Sequence, residues 1–188
     1  VYIISGVGIR SGLIANGKLV SNPSNIEGAY GHMIVDINGK PCSCGNSGCL
    51  EAYTSMHAIL DRFIDEIKKG RSSSALVKVD YDLSAITLDV LCEAVRDEDE
   101  LTMEVIEKAA DYFSAGLTNI INILGPDAII LGGPLTRKCE RFYKLSIEKA
   151  MENIQKCSPV KVKFSKGYLK EDAVVIGAGN FVLDYYLQ

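Results

Sequence analysis

Three of the six cysteines lie in one short segment, where Cys42, Cys44 and Cys49 follow the pattern C-x-C-x4-C. The imidazole of His32 lies ten residues before the first of these thiols. Thiolate and imidazole are ligands that Zn²⁺ prefers, and it takes four of them in a tetrahedron. Because the protein would fill all four positions, the pattern predicts one structural zinc ion with no open position for water or substrate. The alternative, three buried thiols and a core histidine, gives no packing reason for this spacing.

The remaining cysteines and the second histidine show no such clustering. Cys92, Cys139 and Cys157 are scattered along the chain, and free cysteine usually packs as a small hydrophobic residue. We expect Cys92 on a helix face and the other two near the surface, without a functional role. His57 falls at helical spacing on an apolar face and is predicted to be a core residue.

Composition narrows the class of protein. The chain has 188 residues, 47% of them hydrophobic and 23% charged, with a net charge of -4. That is enough apolar material for one sizeable core or two small ones. There is no basic excess to neutralise a nucleic-acid backbone, so this chain alone is not expected to grip DNA. The apolar runs Leu117–Leu124 and Ala128–Leu131 are too short to cross a membrane, which favours a cytoplasmic protein.

The first forty residues predict strands and a hairpin. Val1 to Ser5 are β-branched and aromatic from the first position, as if the chain began within a fold. Asn16-Gly17 separates two short apolar segments and is the preferred pair for a type I′ hairpin turn. Residues 33 to 37 alternate as a further strand, and Asn38-Gly39-Lys40-Pro41 then turns the chain into the cysteine segment.

The rest of the chain alternates between helix and strand patterns. A long amphipathic helix from about Cys49 to Lys69 ends at Gly70, and the acidic run Asp97–Glu100 falls at the start of another long helix, where the helix dipole favours negative charge. The other predicted elements are a polar loop over Arg71–Asp82, helices over Leu88–Val95 and Leu101–Leu124, a buried parallel strand over Ala128–Leu131, a helix of about 16 residues from Cys139, a strand over Val160–Phe164 and a helix over Val174–Leu187. This order predicts an α/β fold with a mixed sheet covered by helices.

The cysteine segment carries a family resemblance. Gly31-His32 followed by Cys42-Ser-Cys44-Gly-Asn-Ser-Gly48-Cys49-Leu-Glu51 resembles the G-H…C-x-C-G-x2-G-C-x-E signature of the ROK family, which joins sugar kinases and sugar-responsive transcriptional repressors. Ser5–Gly12 resembles its second glycine-rich phosphate loop, Ala128–Gly133 its adenosine-side strand with the pair Gly132 and Gly133, and Val174–Asn180 its closing helix. The resemblance implies that residues 1–188 are the second lobe of an actin-like ATPase (ribonuclease H-like) fold.

The resemblance also implies a sugar site. In the family, the zinc-ligand histidine hydrogen-bonds a sugar hydroxyl and the glutamate after the last cysteine holds the anomeric end, roles that carry over to His32 and Glu51. An imidazole held through one nitrogen presents the other in a defined tautomer, which suits such a contact. The alternative for Glu51 is a helix-start charge that serves the macrodipole.

One departure from the family affects the sugar side. Kinases of the family usually carry a glutamate three residues before the histidine, and Ala29 takes that position here. Glu27 lies two residues earlier and is a substitute only if the loop is rebuilt. One of three expected sugar contacts in this lobe is therefore lost.

A second departure affects the phosphate side. The family loop resembles G-T-G-x-G-G-G, whereas this chain reads Gly6-Val7-Gly8-Ile9-Arg10-Ser11-Gly12. Gly6, Gly8 and Gly12 remain, but Val7 removes a hydroxyl that would donate to phosphate. Arg10 puts a long side chain where glycine lets the backbone come close to phosphate. An arginine can bind phosphate, yet the two changes together point away from ATP.

The family's first phosphate loop and its catalytic Asn-Asp pair are expected to precede this segment, so no catalytic residue is assigned. Three hypotheses follow. The first is the sugar-sensing lobe of a ROK-type regulator similar to xylose or N-acetylglucosamine repressors, working as a homodimer and meeting DNA only through a domain outside this chain. The second is a fragment of a sugar kinase that uses ATP and magnesium. The third is a zinc-stapled oligomerisation lobe without a ligand.

Overall fold

The computed structural model describes residues 1–20, 29–154 and 161–186. The strands in these ranges are β1 (Tyr2–Ser5), β2 (Ile9–Gly12), β3 (Ile14–Ala15), β4 (Lys18–Leu19), β5 (Ala128–Gly132) and β6 (Lys163–Ser165). The α-helices are α1 (Glu51–Thr54), α2 (Met56–Lys68), α3 (Ser74–Val77), α4 (Leu88–Arg96), α5 (Glu100–Leu124), α6 (Pro134–Lys138), α7 (Glu140–Asn153) and α8 (Ala173–Tyr186). Short 3-10 turns cover Tyr30–His32, Leu83–Ala85 and Lys170–Asp172.

The central sheet has the strand order β2-β1-β5-β6. β1 pairs antiparallel with β2 and parallel with β5, and β5 pairs parallel with β6. Ile3, Ile129 and Leu131 are buried in it, as the predicted buried strand over 128–131 requires. This confirms the prediction of a mixed sheet covered by helices.

The predicted hairpin is confirmed next to this sheet. β3 and β4 pair antiparallel across Asn16 and Gly17, whose φ angles are 52° and 75°. Both residues lie in the left-handed region that a type I′ turn demands, and Asn and Gly are the residues that tolerate it best.

The helical layer is centred on α5, which packs along α7 and receives α1 and α2 at its other side. Phe113 of α5 meets Phe142 of α7 with ring centroids 5.1 Å apart. Both rings are buried together with Phe63 of α2. The largest apolar side chains thus hold the helices that flank the cysteine segment in fixed positions.

One element predicted before α2 is wrong, and the helix predicted from Cys49 to Lys69 is present but interrupted. Residues 33–37 do not form a strand, since only Ile34 pairs, in an isolated bridge to Cys49, and Ile37 is 91% exposed. The helix predicted from Cys49 to Lys69 is broken at Ser55, whose extended ψ of 158° ends α1. The Ser55 side chain then accepts a hydrogen bond from Ala58 N and caps α2, because serine satisfies the free N–H groups of a helix start.

Smaller corrections concern single residues. His57 is exposed in the first turn of α2 and is not a core residue, because the buried face of this helix carries Ile59 and Phe63. Cys139 is buried between α6 and α7 rather than near the surface, and Cys92 is buried on α4. The loop predicted over 71–82 contains α3. Cys157, Val160 and Leu187 lie outside the described residues.

The C-terminal helix α8 lies where the sequence predicts it, but it packs against few other described elements. Its described contacts are mainly with the 3-10 turn before it, and Val175, Phe181 and Leu183 are all more than half exposed. No α-helix in the described ranges combines the length and apolar character needed to cross a membrane.

Candidate functional site

The four residues of the predicted metal centre meet in space. The ligand atoms of His32, Cys42, Cys44 and Cys49 all lie within 4.8 Å of one another. His32 Nδ1 is 3.7 Å from Cys42 Sγ, and Cys44 Sγ is 3.7 Å from Cys49 Sγ. Zinc–sulfur bonds of about 2.3 Å at tetrahedral angles set two sulfurs about 3.8 Å apart. The donor set and its spacing therefore fit one tetrahedral metal ion.

The backbone of the segment is folded to deliver these side chains. Cys42 N donates to Asn46 O at 2.8 Å, and Gly45 N donates back to Cys42 O at 3.0 Å, which closes the loop between the first two thiols and the third. Gly45 and Gly48 have φ angles of 93° and 76°, where a side chain would be strained. The tight turns of this segment therefore depend on Gly45 and Gly48.

The thiols differ in their surroundings. Burial raises the pKa of Cys49 to about 12, and this residue is fully buried at the base of the loop. Cys44 is exposed, and a hydrogen bond from the Asn46 backbone lowers its pKa. A buried thiol is a poor anion by itself, so a bound cation would supply the charge that holds Cys49 as a thiolate.

Glu51 follows this loop at the first position of α1 and is buried. Its Oε2 accepts a hydrogen bond from Ile9 N at 2.7 Å and another from Arg10 Nη1 at 3.1 Å. Glu51 is therefore more than a charge at a helix start, because it ties α1 to the first residues of β2. A carboxylate that accepts a backbone N–H and a guanidinium is held in one orientation.

The four candidate metal ligands lie on the segment from His32 to Cys49, which we call the metal loop. Ile9 connects this metal loop with the predicted phosphate loop. Its N–H binds Glu51, while its Cβ and carbonyl oxygen lie against Gly31, where an added Cβ would come within 2.9 Å of both. Gly31 precedes His32 in a 3-10 turn. The buried residue Ile9 thus contacts both Glu51 and the residue before His32.

The glycines assigned to phosphate and adenosine binding also lie together. Gly6 and Gly8 form a tight turn after β1, with Gly6 N donating to Gly8 O at 3.0 Å. A Cβ on Gly6 would be 3.2 Å from Pro134, the residue after Gly132 and Gly133. Since β1 and β5 are parallel neighbours, their carboxyl ends place both glycine groups at one edge of the sheet. Gly12 lies at the far end of β2, away from this edge.

The departures in the phosphate loop have clear positions. Val7 is 66% exposed at the tip of the turn, and the Arg10 side chain is 68% exposed while its Nη1 reaches back to Ile9 O and Glu51. Arg10 departs from the family loop, as noted from its sequence, but its ion pair with Glu51 was not predicted. No sequence spacing links residues 10 and 51. Ala29 accepts a hydrogen bond from His32 N, and Glu27 lies outside the described residues.

Comparison with known proteins gives two kinds of relative. The glucokinase of Thermotoga maritima is 29% identical over 182 residues, which are 97% of this chain and 57% of that protein. The xylose repressor of Caldicellulosiruptor bescii is 30% identical over 189 residues, covering 97% of this chain and 45% of the repressor. The chain thus spans about half the length of the curated relatives it matches.

Among solved structures, a ROK family transcriptional regulator, a homolog of the E. coli MLC protein, superposes with a TM-score of 0.75 at 28% identity. The match covers 87% of this chain and 40% of the regulator. Likeness to this regulator and to solved ROK sugar kinases supports the predicted actin-like fold. The ROK family model matches residues 1–184, a range that includes the cysteine signature, the glycine turns and most of α8, so the chain belongs to the ROK family.

Proposed function

We propose that this chain is the sugar-sensing part of a ROK-type transcriptional regulator, in which a structural zinc ion fixes the loop that carries His32 and Glu51. Its partners are a sugar effector and a second copy of the protein, and it meets DNA through a domain outside this chain. The relatives support both the role in sugar sensing and the role in transcriptional regulation, since they include a xylose repressor and a transcriptional regulator of the same fold.

The observation that carries the proposal is the contact of Arg10 with Glu51 beside the phosphate loop. A phosphate loop works by letting backbone N–H groups approach the phosphates closely. Here the Ile9 N–H donates to Glu51 instead. The guanidinium of Arg10 occupies the space through which a phosphate would approach the backbone. The loop is therefore organised around Glu51 rather than around a nucleotide.

The sugar contacts follow from the metal loop. His32 Nδ1 faces the thiols, which leaves Nε2 as the nitrogen that can meet a sugar hydroxyl. Glu51 supplies an acceptor two residues after the last ligand, held by Ile9 N. Charge-assisted hydrogen bonds of this kind contribute about 1.5–3 kcal/mol each, enough to give a sugar measurable affinity.

Titration calorimetry on the full-length protein tests the sensing role. A panel of pentoses, hexoses and N-acetylhexosamines should yield at least one binder, and Glu51→Gln should weaken it about tenfold or more because one charge-assisted acceptor is lost. Glu148→Ala is the matched control, since Glu148 is an exposed glutamate of α7 far along the chain from the site. If no sugar binds, or if both variants bind like wild type, the proposed site is wrong.

The alternative is a sugar kinase, which the 29% identity to Thermotoga maritima glucokinase favours. Coupled measurement of ADP release by the full-length protein, with ATP, magnesium and the same sugars, separates the two. We expect no sugar-dependent turnover. Robust turnover, or a full-length reading frame without a helix-turn-helix before this segment, would replace the regulator with the kinase.

A further inference from the structure

A cleft lies between α2 and α5, and none of the glycines of the phosphate loop lines it. It has a volume of about 450 Å³, and every residue that lines it except Val105 is charged. Lys40 contributes to the lining from the metal loop, Arg62 from α2 and Lys108 from α5. The size lies within the range of small-molecule sites.

Most of the acidic groups in the cleft already have partners. Four of its five carboxylates form ion pairs: Glu66 with Lys69 and Arg71, Glu104 with Arg71, Glu107 with Arg141, and Asp111 with Lys149. Each of these pairs neutralises a carboxylate that would otherwise repel an anion.

Among the side chains of the cleft without an ion pair, the basic ones outnumber the acidic ones. Lys40, Arg62 and Lys108 form no ion pair with any carboxylate in the described part of the chain, and Asp65 is the one lining carboxylate there without such a pair. Three uncompensated cations therefore face one uncompensated acid. The lining itself carries four basic and five acidic side chains. The surplus arises because Arg71, Arg141 and Lys149, which lie outside the lining, pair with its carboxylates.

Two of these cations share one aromatic ring. Arg62 Cζ is 5.8 Å and Lys108 Nζ 5.5 Å from the centroid of the Tyr112 ring, whose other face is stacked on Tyr53 at 3.9 Å. Both cationic groups are thus within cation–π distance of the same ring, which brings two positive charges into one part of the cleft. Moreover, Arg62 Nη1 is buried and has no hydrogen-bond partner among the described residues. A buried charged donor without a partner is rare and calls for a ligand or ion.

We propose that this cleft binds a phosphate monoester, with Arg62 and Lys108 holding the phosphate and Lys40 at its edge. A phosphate carries nearly two charges and three acceptor oxygens, which matches a surplus of cations better than a carboxylate does. The volume exceeds what an inorganic ion needs and leaves room for the organic part of a small metabolite. This site is independent of the proposed sugar site.

The cleft communicates with the metal loop through hydrogen bonds. Lys40 N donates to Tyr53 Oη at 2.7 Å, and Tyr53 Oη donates to Asp36 at 3.0 Å. Lys40 O accepts from Gly48 N at 2.8 Å, next to Cys49. Tyr53 lies on α1 two residues after Glu51. Lys40 therefore belongs both to the lining of the cleft and to the loop that carries the candidate metal ligands.

Calorimetry with glycerol phosphate and with inorganic phosphate, at constant ionic strength, tests the proposal on the full-length protein. We expect glycerol phosphate to bind, and Arg62→Gln and Lys108→Gln each to weaken it at least about tenfold through loss of a charge-assisted contact. Lys108 is exposed, so Lys108→Gln keeps the fold even where Arg62→Gln does not. Equal affinity for inorganic phosphate would show that the phosphate group alone is the ligand.

Two variants separate this cleft from other sites. Lys144→Gln removes an exposed lysine of α7 outside the cleft and should leave binding unchanged. Arg10→Gln reports on the phosphate loop. Binding that is lost with Arg10→Gln but kept with Lys108→Gln would place the anion at that loop and overturn the proposal. Absence of binding to wild type, or equal weakening by Lys144→Gln, would overturn it as well.

Discussion

At the residue scale, the candidate metal centre shows that the spacing of ligand residues in a sequence can predict which side chains meet in space. The pattern of Cys42, Cys44 and Cys49 with His32 predicted four ligands, and the structure places their ligand atoms within 4.8 Å of one another. Local loops of this kind are readable from sequence because the ligands are close along the chain and glycines mark the turns. The contact of Arg10 with Glu51 was not readable, since it joins residues 41 positions apart.

Zinc content provides the first prediction at this scale. Elemental analysis of the purified protein should give about one zinc per chain, and Cys44→Ser should lose most of it and lower the melting temperature, because ligand binding energy contributes directly to folding. Cys92→Ala is the control, as Cys92 is a buried thiol on α4 outside the cluster. It should retain its zinc whatever it does to stability. A metal-free protein that melts like the metallated one would contradict the structural role.

At the element scale, the sequence was reliable where a helix has strong ends and unreliable where an element depends on distant partners. α4 and α5 appear within one residue of their predicted starts. The strand predicted over 33–37 is wrong because Ile34 forms only an isolated bridge to Cys49, and no strand lies beside it among the described residues. The predicted long helix over 49–69 failed because Ser55 offers its hydroxyl as a cap, a local competition that an apolar period does not reveal.

The start of α5 gives a prediction about pH. Asp99 is the N-cap of α5, and it accepts hydrogen bonds from Thr102 N at 2.9 Å and from Ser74 N at 2.7 Å. Partial burial raises the pKa of Asp99, but the hydrogen bonds from Thr102, Ser74 and Ser73 outweigh burial and lower it overall. Asp99→Ala should therefore lower the free energy of unfolding by about 1–2 kcal/mol at neutral pH.

The same lowered pKa fixes the direction of the pH effect. A carboxylate with a lowered folded pKa stabilises the fold fully above its unfolded value of about 3.9 and loses that contribution as the pH falls further. Chemical denaturation between pH 7 and pH 3 should thus show wild type and Asp99→Ala converging in acid. Thr87→Ala is the comparison, because this cap of α4 is uncharged and holds Val90 N at a longer 3.4 Å. A constant difference for Asp99→Ala down to pH 3 would contradict the assignment.

At the scale of the whole molecule, the mixed sheet covered by helices was within reach of the sequence, since buried strands and amphipathic helices have distinct periods. The strand order and the packing of α5 on α7 were not, because hydrophobic period does not say which elements are neighbours. Nor were the surroundings of α8. An apolar pattern predicts that a helix is covered but not by what, and in this chain α8 contacts chiefly the turn before it. A helix that is apolar on all sides normally lies in a protein interior or an interface.

The exposed surface of α8 leads to the last prediction. The 188-residue chain should bind an apolar fluorescent dye in its native state, because Val175, Phe181 and Leu183 expose 74%, 60% and 57% of their surface on neighbouring turns. The double variant Phe181→Glu with Leu183→Glu should lower native-state dye fluorescence several-fold, since contiguous apolar area decides binding. Ile37→Glu is the matched control, because Ile37 is 91% exposed but isolated on the metal loop. If Ile37→Glu lowers the fluorescence as much as the α8 variant does, the dye does not report on α8 and the prediction is contradicted.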